Sequence, residues 1–472
     1  MWNFDRLKEQ TAVIDDRDNC LSYHELSERG KKLCHAVGRR CLVFQICGNE
    51  MGSLIGYTGF LNGRIVCAML KADLDENMMT SLYRQYCPAF IWTNMKYQQY
   101  SFYEECEKVY EDYGYVLLKT PHKETPDLHE ELALLLTTSG STGSFRFVRQ
   151  SYGNIRANTD SIVEYLHLDS SERPITTLPM NYTYGISIIN SHLDVGATIL
   201  LTDKSIVQRE FWKFFGTQGA TSFGGVPYTY ETLKRLHFTQ KELPTLRTMT
   251  QAGGKLHPEL HKEYAQYAGD TGKEFVVMYG QCEATARMAY LPPKDSIRKA
   301  GSMGIAIPGG RLELLDAAGN RIEEPGQTGE LVYYGDNVTF GYAENRADLG
   351  LGDERGGRLE TGDMAYRDED GYYFIVGRKK RFLKIYGNRV SLDEAEQLVK
   401  GKFQEIEIAC GGVDERMDIF MTDMQRADEV KRFLAQTLGF HISVFRAVHL
   451  EEIPYNESGK VLYKELEKYS RL

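Results

Sequence analysis

Short apolar runs alternate with amphipathic stretches along most of this chain. The run 132–136 (LALLL) is continuous and ends at a glycine-rich segment, which predicts a buried strand of a parallel sheet. The runs 197–201 (ATILL) and 275–278 (FVVM) predict further strands, with helices expected over 211–215 and 228–236. That alternation points to layered α/β structure. Near the N-terminus, where short helices and strands alternate, Ser22 with Glu25 three positions later reads as a helix start closed by a capping box. The polar, proline-containing segment 120–130 (TPHKETPDLHE) reads as a connector. From Gly329 onward the texture changes to short strands with polar turns, at 330–334 and 372–376. The basic cluster Arg378-Lys379-Lys380-Arg381 then precedes a compact α+β unit running to Leu472.

A chain of 472 residues exceeds one ordinary core, and about 150 residues per domain suggests about three structural units. The net charge of −10 argues against a general nucleic-acid binder, which needs a basic face to neutralise phosphates. The N-terminus (MWNFDRLKE) carries charges where a signal peptide needs an apolar run. No apolar stretch approaches the roughly 20 residues of a membrane span, so a soluble, cytoplasmic protein is expected. Cys20, Cys34, Cys41, Cys47, Cys67, Cys87 and Cys106 crowd the N-terminal quarter without a CxxC pair. They suit neither a disulfide framework nor a zinc site and read as reduced core thiols.

The chemistry begins at Thr137-Thr138-Ser139-Gly140-Ser141-Thr142-Gly143-Ser144, directly after the first buried strand. Small residues let successive backbone N–H groups converge on an anion, and the hydroxyls add donors, which suits a polyphosphate. A Ser/Gly-rich surface loop has the same composition. Walker A chemistry needs a Gly-Lys pair that this loop lacks.

With that loop the chain resembles the adenylate-forming (ANL) superfamily of ligases, which includes acyl-CoA synthetases, peptide-synthetase adenylation domains and luciferase. Their phosphate loop reads TSGTTGxPKGV; Thr138 to Gly143 and Val148 match, Arg146 replaces Lys, and Phe145 and Phe147 replace Pro and Gly. Further motifs follow in the family's order. Tyr279-Gly280-Gln281-Cys282-Glu283 resembles YGxTE, with Cys282 in place of Thr, and Thr361-Gly362-Asp363 resembles TGD. Gly377-Arg378, Lys380, Leu383-Lys384, Gly387 and Arg389-Val390 match GRxDxxIKxxGxRV, and Ser458-Gly459-Lys460-Val461 matches the C-terminal GK motif. Gly253-Gly254 corresponds to the GGAPL-like loop beside adenine and acyl group.

The resemblance implies an α/β fold: a large N-terminal domain of layered subdomains (1–379) plus a small mobile α+β C-terminal domain (380–472). It implies that the 138–143 loop and Arg146 hold the ATP phosphates, that Gly254, Tyr279, Gly280, Cys282, Asp363 and Arg378 bind the rest of the nucleotide, and that Glu283 holds Mg²⁺. Lys460 would bridge carboxylate and α-phosphate, Lys380 would sit at the hinge, and Lys384 would face the site in the second half-reaction.

The implied activity is ATP-dependent conversion of a carboxylic acid to acyl-AMP with release of pyrophosphate, then transfer to a pantetheine thiol of CoA or of a phosphopantetheine-bearing carrier protein. Tyr182, Thr183, Tyr184, Phe223 and Gly253 are the candidate acyl pocket. Thr183 stands where α-amino-acid-activating members carry Asp, and without a carboxylate an ammonium would be unpaired, so an aryl or acyl acid is expected. The alternative is a catalytically weak or silent relative that binds a nucleotide or acyl-adenylate.

Overall fold

The computed structural model describes residues 1–122, 126–137, 146–379, 381–403, 406–455 and 461–470, with only the backbone of Arg389. Thr138, Ser139, Gly140, Ser141, Thr142, Gly143, Lys380 and Lys460 therefore lie outside the described residues.

Two large sheets dominate. In the first, Gly341–Ala343, Phe147–Ser151, Leu132–Thr137, Val66–Lys71, Leu42–Cys47, Phe90–Asn94, Tyr115–Lys119 and Glu107–Asp112 lie side by side. The strand Leu132–Thr137 is buried as expected, but only one of its edges is parallel. It runs parallel to Val66–Lys71 and antiparallel to Phe147–Ser151. The strands on either side of residues 138–145 are thus antiparallel neighbours.

In the second sheet, Glu274–Tyr279, Thr248–Gln251, Ser222–Gly225, Pro174–Ile175, Ile199–Leu201 and Thr11–Asp15 are consecutive and parallel. Both sheets contribute to one apolar cluster, Leu134 and Leu136 from the first meeting Val13 and Ile199 from the second. The helix Met51–Asn62 is buried along nearly its whole length within this cluster, which is why its sequence carries no polar face. The helix Tyr23–Val37 starts at Ser22 with both capping-box hydrogen bonds formed.

The change of texture falls earlier than Gly329. A four-stranded antiparallel sheet begins with Arg311–Leu315 and continues through Gly329–Tyr334, Arg358–Arg367 and Tyr373–Arg378. Its last pairing sets Asp363 opposite Arg378. From Phe382 the chain forms a hairpin, the helix Leu392–Lys402, a three-stranded sheet and two further helices. This C-terminal region has apolar clusters of its own, around Ile408, Ile419 and Val430 and around Phe420 and Leu466.

None of the nine cysteines forms a disulfide among the described residues, yet only Cys41, Cys47, Cys67 and Cys410 are buried, which corrects the reading of core thiols. Cys20 is exposed and the others are half-buried. Among the described residues no helix is long and apolar enough to cross a membrane.

Candidate active site

In an open parallel sheet, ligands bind beyond the carboxyl ends of the strands. Here Ser222–Gly225, Thr248–Gln251 and Glu274–Tyr279 end together, and the segments that follow carry the glycines and titratable groups expected of the site. After Tyr279 the backbone folds back sharply. A Cβ on Gly280 would lie 1.7 Å from the Ala286 carbonyl oxygen, so only glycine fits there. The return is made at Thr285, whose φ of 63° and ψ of −59° define a γ-turn closed by Ala286 N–H donating to Ala284 O at 2.7 Å. A β-branched residue in this region is strained. It is held by Thr285 Oγ1 donating to Asn337 O at 2.7 Å.

The turn places two groups. The first is built on Asp363, which is 3 % exposed. Its Oδ2 accepts from Tyr279 Oη at 2.5 Å and from Gln281 Nε2 at 2.9 Å, and its Oδ1 pairs with Arg378 Nε at 2.8 Å. Burial pushes the Asp363 carboxyl above its usual range, against the opposing pull of Arg378, Tyr279 and Gln281. Burial, reinforced by Asp363, pushes the Tyr279 phenol well up, so it stays a neutral donor. Arg378 N–H also donates to Asp393 Oδ2 at 2.8 Å, which joins this group to the start of the helix Leu392–Lys402.

The second group surrounds Glu283. Its Oε1 accepts from Tyr342 Oη at 2.7 Å, and its backbone oxygen accepts from Thr339 N, Thr339 Oγ1 and Arg355 Nη1 at 2.9–3.0 Å. The Tyr342 ring lies 3.5 Å from the Arg146 guanidinium carbon and 4.8 Å from that of Arg355. Burial and the adjacent Glu283 push the Tyr342 phenol up to about 12. Among the described residues no group of three or more acidic, thiol or imidazole side chains is placed to hold a metal ion; a single carboxylate can serve Mg²⁺, which takes most of its oxygens from phosphates and water. Neither Tyr342 nor Arg355 was anticipated; in a chain with 30 tyrosines, one that lies 59 positions from Glu283 gives no local signal.

The tyrosines expected to line an acyl pocket, Tyr182 and Tyr184, stand at the start of the helix Thr183–Val195. The Tyr182 and Tyr184 rings are 6.3 Å apart, and a Cβ on Gly253, at φ +84°, would come within 2.6 Å of Tyr182 Oη. Burial and then the neighbouring Cys282 thiol push the Tyr182 phenol up to about 12. Thr183 Oγ1 donates to Thr285 O. Gln251 Nε2 donates to Gly254 O at 2.9 Å and fixes the Gly253-Gly254 loop.

Two anticipated residues are not brought into these groups. Phe223 points to the opposite face of its strand, stacked on Tyr230 at 6.3 Å and edge-on to Phe238 at 5.7 Å, because alternate strand residues face opposite sides. Lys384 lies exposed on the C-terminal hairpin, its N–H donating to Asp414 Oδ1 at 2.8 Å. Arg381, the last residue of the basic cluster that begins at Arg378, is largely buried against Asp393 and Glu396, at 2.5 and 2.7 Å, with the Tyr463 ring 3.4 Å from its guanidinium carbon.

Comparison with known proteins adds an independent line. The family model described as AMP-binding enzyme matches residues 2–343. The peroxisomal OPC-8:0-CoA ligase 1 of Arabidopsis thaliana is 28 % identical over 356 residues, 72 % of this chain and 64 % of that protein. The indoleacetate–CoA ligase of Aromatoleum aromaticum is 29 % identical over 340 residues, 70 % of this chain and 65 % of that protein. The chain thus spans less than two thirds of the length of these curated relatives. The structure of o-succinylbenzoate coenzyme A synthetase from Bacillus subtilis with ATP and magnesium superposes with a TM-score of 0.79 at 18 % identity, covering 97 % of each chain. That likeness shows the fold.

Proposed function

Because the chain belongs to the AMP-binding enzyme family, we propose that it activates a carboxylic acid with ATP to an acyl-AMP and transfers the acyl group to the thiol of CoA. A carboxylate is a poor acyl donor because its leaving group would be oxide. In the proposed step the acid's oxygen attacks the α-phosphorus, a P–O bond forms and pyrophosphate departs. The thiolate then attacks the acyl carbonyl, and AMP leaves.

The observation that carries this reading is the buried Asp363 carboxylate beside Tyr279 and Arg378 at the carboxyl end of the parallel sheet. Such a carboxylate can accept from both hydroxyls of a ribose, while the Tyr279 ring supplies area for the adenine. Glu283, oriented by Tyr342, would hold Mg²⁺, which would neutralise phosphate charge. Arg146, Cys282, the 138–143 loop and the 253–254 loop complete the nucleotide side. Lys460 would supply the ammonium between carboxylate and α-phosphate, acting through preorganised electrostatics.

The segment from Lys380 onward is proposed to move as a lid about that hinge and to bring Lys384 toward the site for thioester formation. Relatives named as CoA ligases favour CoA over a carrier protein as acceptor. The occupied Thr183 hydroxyl, in place of a carboxylate, favours an aryl or acyl acid over an α-amino acid. The test is acid-dependent pyrophosphate release across aryl, fatty and amino acids, with hydroxylamine to trap acyl-AMP. Release with formation of the hydroxamate supports the reading. Tight ATP binding without release from any acid would instead identify a silent nucleotide-binding relative.

A further inference from the structure

One buried charge near the acyl-side tyrosines has no counter-ion among the described residues. Arg287 follows directly on the Gly280–Ala286 turn and is 2 % exposed. Its Nε donates to Ser187 Oγ at 3.3 Å, and its Nη1 donates to Tyr165 Oη at 3.0 Å and approaches Met278 Sδ at 3.2 Å. The Tyr184 ring centroid lies 5.2 Å from its guanidinium carbon. Among the described residues Arg287 forms no ion pair, and its hydrogen bonds run from Nε and Nη1 to neutral groups. The remaining neighbours do not compensate the charge. Burial pushes the Tyr165 and Tyr184 phenols up, which keeps them neutral, and it pushes His192 down to about 4. A thioether is a weak acceptor.

A buried guanidinium without an anion is costly, so its retention needs a compensating partner. The location says where that partner comes from. Ser187 and Tyr184 belong to the helix whose first turn carries the acyl-side tyrosines, and Met278 precedes Tyr279 at the carboxyl end of its strand. Resting on the adenylation reading above, we propose that Arg287 is the counter-ion for a second anionic group on the acid, so that the substrate class is dicarboxylic. One carboxylate would go to the α-phosphorus, and the other would pair with Arg287 beside the Tyr184 ring. A cationic wall also opposes an ammonium group, in keeping with Thr183 standing where amino-acid activators carry Asp.

The experiment compares dicarboxylic acids of increasing length, aliphatic and aryl, each paired with its mono-amide, which is neutral at the far end. Pyrophosphate release gives kcat/KM for the intact wild-type chain and for Arg287→Met and Arg287→Lys. Wild type should favour the best diacid over its mono-amide on the order of 10²-fold, the usual effect of one buried charged pair. Arg287→Met should abolish or reverse that preference, and Arg287→Lys should restore part of it. A wild-type preference for the mono-amides would overturn the assignment while leaving adenylation standing, and this comparison needs no variant to fold. Equal losses for diacid and mono-amide in Arg287→Met would also overturn it, making Arg287 a bolt between helix and strand. No release from any acid would overturn both readings.

Discussion

Replacing Asp363 by Asn separates binding from stability in a way that tests the nucleotide assignment. The carboxylate holds three close polar partners in the ligand-free protein, Tyr279 Oη, Gln281 Nε2 and Arg378 Nε, at 2.5, 2.9 and 2.8 Å. If it also accepts from two ribose hydroxyls, the gross loss at about 1.5–3 kcal/mol per charged hydrogen bond is roughly 3–6 kcal/mol. Part of that is offset, because the ribose must share or displace the Tyr279 and Gln281 donors. A net loss of about 2–4 kcal/mol remains, which is about 30- to 1,000-fold in ATP affinity. The ribose is remote from the reacting phosphorus, so the effect should appear in KM for ATP with kcat little changed. Stability should not follow the same direction. Burial raises the Asp363 carboxyl above its unfolded value, so its ionisation opposes folding as pH rises through that range. A neutral amide removes that opposition but also withdraws the carboxylate that holds the Arg378 guanidinium above its ordinary value, so the two effects offset and thermal melts of the ligand-free variant at pH 7 should show only a small change in Tm. An unchanged KM for ATP, or a Tm lower by several degrees, would refute the reasoning.

Tyr342→Phe removes the donor to Glu283 while keeping the ring between Arg146 and Arg355, and should cut kcat/KM by about 10- to 150-fold, given about 1.5–3 kcal/mol for a hydrogen bond to a charged group. Titrating Mg²⁺ in the same assay should show a higher half-saturating concentration; unchanged Mg²⁺ dependence would count against Glu283 as its ligand. Lys460→Ala should slow acyl-AMP formation on the order of 10²–10³-fold, whereas Lys384→Ala should slow thioester formation more than adenylation. Near-normal pyrophosphate release by the first variant, or equal losses in both half-reactions for the second, would contradict those roles. Burial holds His192 and His261 down at about 4, below the ordinary histidine value of 6.5, so the unfolded chain takes up these protons first as pH falls. Their stabilisation is intact above about pH 6.5 and is lost between there and about pH 4, by up to roughly 3 kcal/mol each. Urea melts across that range should steepen accordingly, and His261→Asn should flatten the slope by about one proton.

Features set by neighbours in sequence were legible in advance. The Ser22–Glu25 capping box and the buried strand at Leu132–Thr137 each follow from a few adjacent residues. Features made by distant strands meeting were not. Tyr342 reaches Glu283 only because Gly341–Ala343 pairs with Phe147–Ser151, and Arg381 is buried only because Asp393 and Glu396 come round on the following helix. Phe223 was misplaced for a related reason: the spacing of aromatics near a glycine pair does not say which side of a strand each occupies, and Gly224, not Phe223, faces Tyr184. Arg287 reads in sequence as one more charge, and only its enclosure makes it conspicuous.

The tight fold of the backbone after Tyr279 also bears on how this scaffold could be retargeted. With a carbonyl oxygen filling the space where a side chain at position 280 would begin, mutational libraries that vary the whole 279–287 segment will discard most members before function is tested. Diversity is better concentrated after that turn, at 287, and on the opposing helix at 184 and 187. If the acid lies beside Tyr184 and Arg287 as proposed, changes there would leave intact the hairpin-like return that presents Glu283.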